Sequence, residues 1–202
     1  MTRGVPAVVV QWLLLSATVG CAPSAGESKS SPAATESVAA SDAFVELMRE
    51  RLLLMHDVAR WKWNAKQPIS DPEREKVLLE ELERRGADHG LAPDEVRSFI
   101  WAQIEAGKLV QQADWRQWEV EEREVFADAP DLQTELRPKI DRLSEQLLAA
   151  YAEFLPKLAE PGAQERFERR AERILVGEGI DEKVRTRALA DWAATSTEAA
   201  AP

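Results

Sequence analysis

Residues 42–66, DAFVELMRERLLLMHDVARWKWNAK, decide the fold. Phe44, Leu47, Leu54, Met55, Val58 and Trp61 fall on or beside one face at helical spacing. With no proline or glycine to interrupt it, the pattern predicts one long helix from about Asp42 to Lys66. Downstream there are no alternating β-branched runs, while Leu, Ala, Glu, Arg and Gln dominate. The expected class is therefore all-α, a bundle of about six helices. Ser70-Asp71-Pro72-Glu73 has helix-start chemistry and opens a second helix over about 72–87. Pro93-Asp94-Glu95 opens a third that passes Val110 and extends as far as Glu124. A fourth starts near Pro138 and runs through Leu158, ending at Pro161-Gly162. Two shorter helices follow at about 163–176 and 181–195, separated by Gly177-Glu178-Gly179.

The residues before this bundle read differently. Residues 1–21 have the form of a signal peptide: Arg3 near the start, then an apolar run from Val8 to Val19, too short to span a bilayer. Thr18-Val19-Gly20-Cys21 resembles a lipoprotein processing site with Cys21 as the lipidated residue, whereas cleavage after Ala22 would release a soluble chain. Residues 22–41, rich in Ser, Ala, Pro and Glu, are expected to form a flexible linker, and 42–202 the domain. The expected location is periplasmic or secreted, with a membrane-anchored lipoprotein as the variant form.

Charge and composition narrow the function. The 202 residues include 26 Lys and Arg against 36 Asp and Glu, a net charge of −10. Non-specific attraction to nucleic acid is therefore not expected, and any bound anion must meet a local cluster of cations. One cysteine excludes an internal disulfide, and two histidines, His56 and His89, leave little for a metal site or a Ser/His triad. Charge runs such as Glu119 to Glu124 and Glu165 to Arg173 read as solvated faces.

The informative residues are polar groups on faces that should be apolar. Arg51 is in register with Leu47, Met55 and Val58, and Lys62 follows Val58 by one turn. Eleven residues return them to nearly the same azimuth with Cα atoms about 16 Å apart, so both can reach one small anion. The alternative for each is to snorkel to solvent or to pair with Asp57 or Glu50. On the third helix Gln103, Gly107 and Gln111 recur every four residues beside Phe99, Ile100 and Val110. A helical glycine costs about 1 kcal/mol relative to alanine, which suggests close approach of backbone or ligand at Gly107. The two glutamines can equally be structural, bonding across the bundle.

These stretches, Arg51 through Trp63, Pro68 through Glu75, Gln103 through Gln111 and Leu136 through Asp141, resemble in order and separation the all-helical, type II chorismate mutases, most closely the exported subclass. The resemblance covers about 44–145. It implies a cofactor-free, metal-free rearrangement of chorismate to prephenate, the step towards phenylalanine and tyrosine. It implies that Arg51 and Arg137 hold the two carboxylates, and that Lys62 and Gln111 donate to the ether oxygen. Arg74, Glu75 and the backbone beside Asp71 would grip the ring hydroxyl and the remaining carboxylate contacts. Gly107 stands where relatives commonly carry a hydroxyl that touches a carboxylate. With Arg137 supplied in cis, the resemblance implies a complete site in each chain, also within a homodimer. The alternative is a catalytically silent helical module that binds a partner or another dicarboxylate.

Overall fold

The computed structural model describes residues 32–190. Six α-helices are present among them: α1 (Pro32–Ala65), α2 (Pro72–Asp88), α3 (Pro93–Val120), α4 (Arg137–Phe154), α5 (Ala163–Ile174) and α6 (Glu182–Ala188). A π-helical turn, Leu132–Leu136, leads into α4, and a 3₁₀ segment, Leu155–Ala159, leaves it. The signal-peptide and lipidation expectations, Cys21 included, lie outside the described residues. α1 begins at Pro32, ten residues before the expected start, so its first turns occupy part of the segment composition assigned to a linker. Alanine and glutamate after a proline in the first turn are good helix material, whatever their polarity. α3 stops at Val120, short of Glu124, where Glu122 takes φ 50 and turns the chain.

The core lies where α1 packs against α3 and α4. Phe44, Val45, Met48, Leu52, Met55 and Ala59 are buried, whereas Leu47, Leu54 and Trp61 are only partly covered, so the buried stripe is turned relative to the one expected. Phe44 is the centre of an aromatic cluster, with ring centroids 5.3 Å from Phe99, 5.7 Å from Tyr151 and 5.2 Å from Phe154. Truncating such a residue to alanine costs about 3–5 kcal/mol. At Gly86 α2 meets α3 so closely that a Cβ would lie 2.4 Å from Val96 Cγ2.

Three polar contacts, seven residues apart along α1, hold the C-terminal part of the bundle. Asp42 pairs with Arg170. Arg49 Nε donates to the Val176 carbonyl at 2.6 Å. His56 Nε2 lies 2.8 Å from the Glu178 carbonyl, and its Nδ1 lies 2.8 Å from Asp114 Oδ2 of α3. Gly179 permits this last approach: at φ +67, a Cβ there would sit 2.7 Å from His56 Cε1.

Candidate active site

Four segments deliver polar side chains to one cavity of about 140 Å³. α1 contributes Arg51 and Lys62, the start of α2 contributes Asp71, Arg74 and Glu75, α3 contributes Lys108 and Gln111, and α4 contributes Arg137 and Asp141. Met55, Val58, Ile69, Leu78, Ile104, Leu132 and Ile140 supply apolar wall. Five cations face three carboxylates in this lining, an excess of two positive charges in a protein of net charge −10.

Local chemistry sets each group. The Asp71 carboxylate caps α2 by accepting from the Arg74 N–H at 3.1 Å, and Pro72 occupies the first turn, where its missing N–H costs nothing. Glu75 Oε1 accepts from the Asp71 N–H and from Ser70 Oγ, each at 3.1 Å. Burial works against the ionised Glu75, but the Asp71 N–H, the Lys108 ammonium and Ser70 together hold its carboxyl below the usual range. Arg137 follows the π-turn. Asp131 caps that turn through the Gln133 and Thr134 N–H groups, and Leu136 N–H reaches back five residues to the Asp131 carbonyl. A π-turn places the residues after it out of ordinary α register. Arg137 bonds Gln133, and Arg74 Nη2 lies 3.9 Å from Asp141 Oδ1.

Arg51 neither snorkels nor pairs. It is 4% exposed, donates once through Nη1 to the Gln103 carbonyl at 3.1 Å, and leaves Nε without a partner. Among the described residues no carboxylate lies within ion-pair distance of it, and Asp57 is engaged by Arg60. Burial pushes its pKa down to about 10. A buried cation lacking a counter-charge and bordering a cavity is a strong site for an anion. Lys62 is half-buried and its Nζ donates to the Ile69 carbonyl. Burial lowers its pKa, Asp71 and Glu75 oppose that, and Lys108 and Arg137 reinforce it.

Of the residues singled out in the sequence, Arg51, Lys62, Asp71, Arg74, Glu75, Gln111 and Arg137 line this cavity together. Gly107 does not. Its missing Cβ makes room for Met55 of α1, whose Cγ and Sδ would be 3.0 Å and 3.1 Å away, and Met55 in turn lines the cavity. Gln103 is buried and structural, with Nε2 bonded to the Ala188 carbonyl of α6 at 2.8 Å. Gln111 Nε2 makes only a long bond to the Gly107 carbonyl, 3.3 Å, beside Met55 Sδ at 3.8 Å, and its Oε1 is buried with no partner. Sequence reasoning passed over Lys108, which lines the cavity and pairs with Glu75 and Glu105. The signal was present, because Ile104, Lys108 and Gln111 are spaced i, i+4, i+7.

Comparison with known proteins agrees with this geometry. Residues 36–112 match the family described as chorismate mutase type II. The secreted chorismate mutase of Mycolicibacterium smegmatis is 28% identical over 137 residues, 68% of this chain and 75% of that protein. A monofunctional chorismate mutase of Enterobacter agglomerans is 33% identical over 111 residues, 54% of this chain and 59% of that one. The crystal structure of chorismate mutase from Burkholderia thailandensis superposes with a TM-score of 0.67 at 34% identity, covering 74% of this chain and 96% of that chain. A helical bundle enclosing a cation-lined cavity is thus the class. The chain belongs to the type II chorismate mutase family.

Proposed function

We propose that the protein is a chorismate mutase that catalyses the intramolecular rearrangement of chorismate, a dicarboxylate, to prephenate, on the route to phenylalanine and tyrosine. The observation that carries the reading is the convergence of Arg51, Lys62, Arg74, Arg137 and the Gln111 amide on one cavity whose lining carries two surplus positive charges. A dicarboxylate neutralises that surplus. In the rearrangement one carbon–oxygen bond breaks as a carbon–carbon bond forms, with no proton transferred and no covalent enzyme intermediate. The protein needs only to hold the compact conformer and to stabilise the charge that grows on the ether oxygen. Arg51 and Arg137 clamp the two carboxylates with planar guanidinium forks, and Arg74 adds a third cation at the rim. Lys62 and Gln111 donate to the ether oxygen, the lysine as a compact charge and the glutamine through Nε2. Asp71 and Glu75 hold the substrate hydroxyl and keep the cations from repelling one another before substrate binds.

All of these groups come from one chain, Arg137 included, which supports a complete site per protomer in a monomer or a homodimer. Export is supported by the secreted relative and by the signal-like residues 1–21, with Cys21 as the candidate for a lipid anchor. A silent module that binds a partner or another dicarboxylate is not favoured, because the matching family and the relatives are chorismate mutases.

The decisive experiment follows the loss of chorismate ultraviolet absorbance with purified protein. Turnover is expected in the wild type, and Lys62→Ala should lower kcat about a hundredfold while remaining folded, as for loss of an oxyanion donor. Wild-type protein without turnover refutes the reading, and a folded Lys62→Ala variant with full activity refutes the role of Lys62.

A further inference from the structure

Lys108 has no role in the chemistry described above, yet it is the most heavily restrained cation at the cavity. Its side chain is 15% exposed, its Nζ lies 3.1 Å from Glu75 Oε2 and also pairs with Glu105, and the ammonium sits 5.2 Å from the centroid of the Trp101 ring. Three partners on one ammonium fix its position far more firmly than a solvated surface pair would. What Lys108 grips is equally specific. The other oxygen of Glu75 accepts from the Asp71 N–H and from Ser70 Oγ, at the turn between α1 and α2. One residue before Ser70, the Ile69 carbonyl accepts from Lys62 Nζ.

We infer that Lys108 is a positioning residue: through Glu75 and the Ser70–Asp71 turn it sets the Ile69 carbonyl and thereby the place of the Lys62 ammonium. The path runs from α3 to α1 across the start of α2 through direct polar contacts, Lys108 to Glu75, Glu75 to Ser70 and Asp71, and Ile69 to Lys62, with the peptide backbone joining Ile69 to Ser70. This assignment rests on the proposed chorismate mutase activity for its catalytic consequence but not for its structural content. Lys108 need not touch substrate. Its removal frees the Glu75 carboxylate to rotate, loosens the turn, and lets Lys62 leave the position from which it meets the ether oxygen. Misplacement of a catalytic group by about 1 Å can cost up to a hundredfold, so an intermediate loss is expected.

The test compares wild type, Lys108→Ala, Lys108→Arg, Lys62→Ala and the double variant Lys62→Ala/Lys108→Ala by chorismate absorbance. Lys108→Ala should lower kcat about tenfold, and Lys108→Arg, which keeps the pair with Glu75, should recover most of that. On the Lys62→Ala background, Lys108→Ala should cost less than about twofold, since the group it positions is already gone. A full tenfold loss in the double variant overturns the inference, as does unchanged kcat in Lys108→Ala. A second readout needs no turnover: hydrogen exchange at the Asp71 amide should quicken about tenfold in Lys108→Ala, with amides in the middle of α4 unchanged. Unchanged exchange at Asp71 overturns the relay. Wild-type protein inert towards chorismate would instead refute the proposed activity, and the exchange measurement would still decide the relay.

Discussion

Replacing Arg51 by methionine should make the protein more stable and abolish its activity. A guanidinium whose pKa burial pushes down to about 10 is destabilised in its charged form, and at about 1.4 kcal/mol per pKa unit the cost at neutral pH is on the order of 3 kcal/mol. The sign is that of a cation with a lowered folded-state pKa: the penalty is fully present below the folded value and disappears as pH rises past the unfolded one. Methionine has a similar unbranched reach and carries no charge to desolvate. Against the gain stands one lost bond, from Nη1 to the Gln103 carbonyl, worth about 1 kcal/mol or somewhat more because the donor is charged. The net gain is about 1–2 kcal/mol, and at about 2–4 °C per kcal/mol for a chain of this size the melting temperature should rise by several degrees. Substrate binding should fail at the same time, because the anion loses a buried cation that no carboxylate among the described residues neutralises. Differential scanning fluorimetry, with and without chorismate, reads both effects: a higher midpoint for Arg51→Met in buffer, and an upward shift with chorismate in wild type alone. A midpoint several degrees below wild type, or a variant that retains kcat/KM, would refute the argument that Arg51 is held against its own burial cost for an anion.

Three further outcomes are expected. His56 bonds the Asp114 carboxylate with Nδ1 and the Glu178 carbonyl with Nε2, so both nitrogens donate only in the imidazolium. The Asp114 bond raises its pKa, burial opposes that, and the Glu178 carbonyl adds to the rise; the associated stability is present below the ordinary histidine pKa of about 6.5 and is lost as pH climbs through the folded value. The melting temperature should accordingly fall on going from pH 6 to pH 9, and Asp114→Asn should flatten that slope; an NMR titration placing His56 at or below its ordinary value would contradict this. Gly107→Ala gains about 1 kcal/mol of helix propensity but must move the flexible Met55 side chain, which lines the cavity, so stability should change by less than about 1 kcal/mol while KM rises; a loss of several kcal/mol measured by denaturant unfolding would show that Met55 cannot give way. Gln111 has no proton to lose, so kcat should be flat between pH 6 and 8, and Gln111→Glu should fall with rising pH over that range; a tenfold wild-type change across it that disappears in Gln111→Ala would refute the role of the amide.

Most of the fold was legible because its signals are local. The period of residues 42–66, the proline-led starts at Pro72 and Pro93 and the break at Pro161-Gly162 each act within a turn or two, and the helices stand where those signals put them. The start of α1 was missed because Ala and Glu suit a linker and a helix equally. The π-turn was hidden because Leu132–Leu136 differs from an α-turn only in which carbonyl receives each N–H. At the cavity, Arg51 and Lys62 were visible as charges on an apolar face. Lys108 shares the face of Ile104 and Gln111 and so carried a signal, but a lysine three residues after Glu105 also fits an ordinary surface pair until Glu75 arrives from another helix. At Gly107 the sequence shows that something approaches closely, and the packed structure adds that Met55 does.

Asp42, Arg49 and His56 work like three teeth of a rack. Each engages a different point of the segment from Arg170 to Glu178, and successive teeth are two turns apart. Adding or removing one residue between the first tooth and the last would rotate those beyond it by about 100° and take the rack out of mesh. The length of α1 over that span is therefore fixed to the residue.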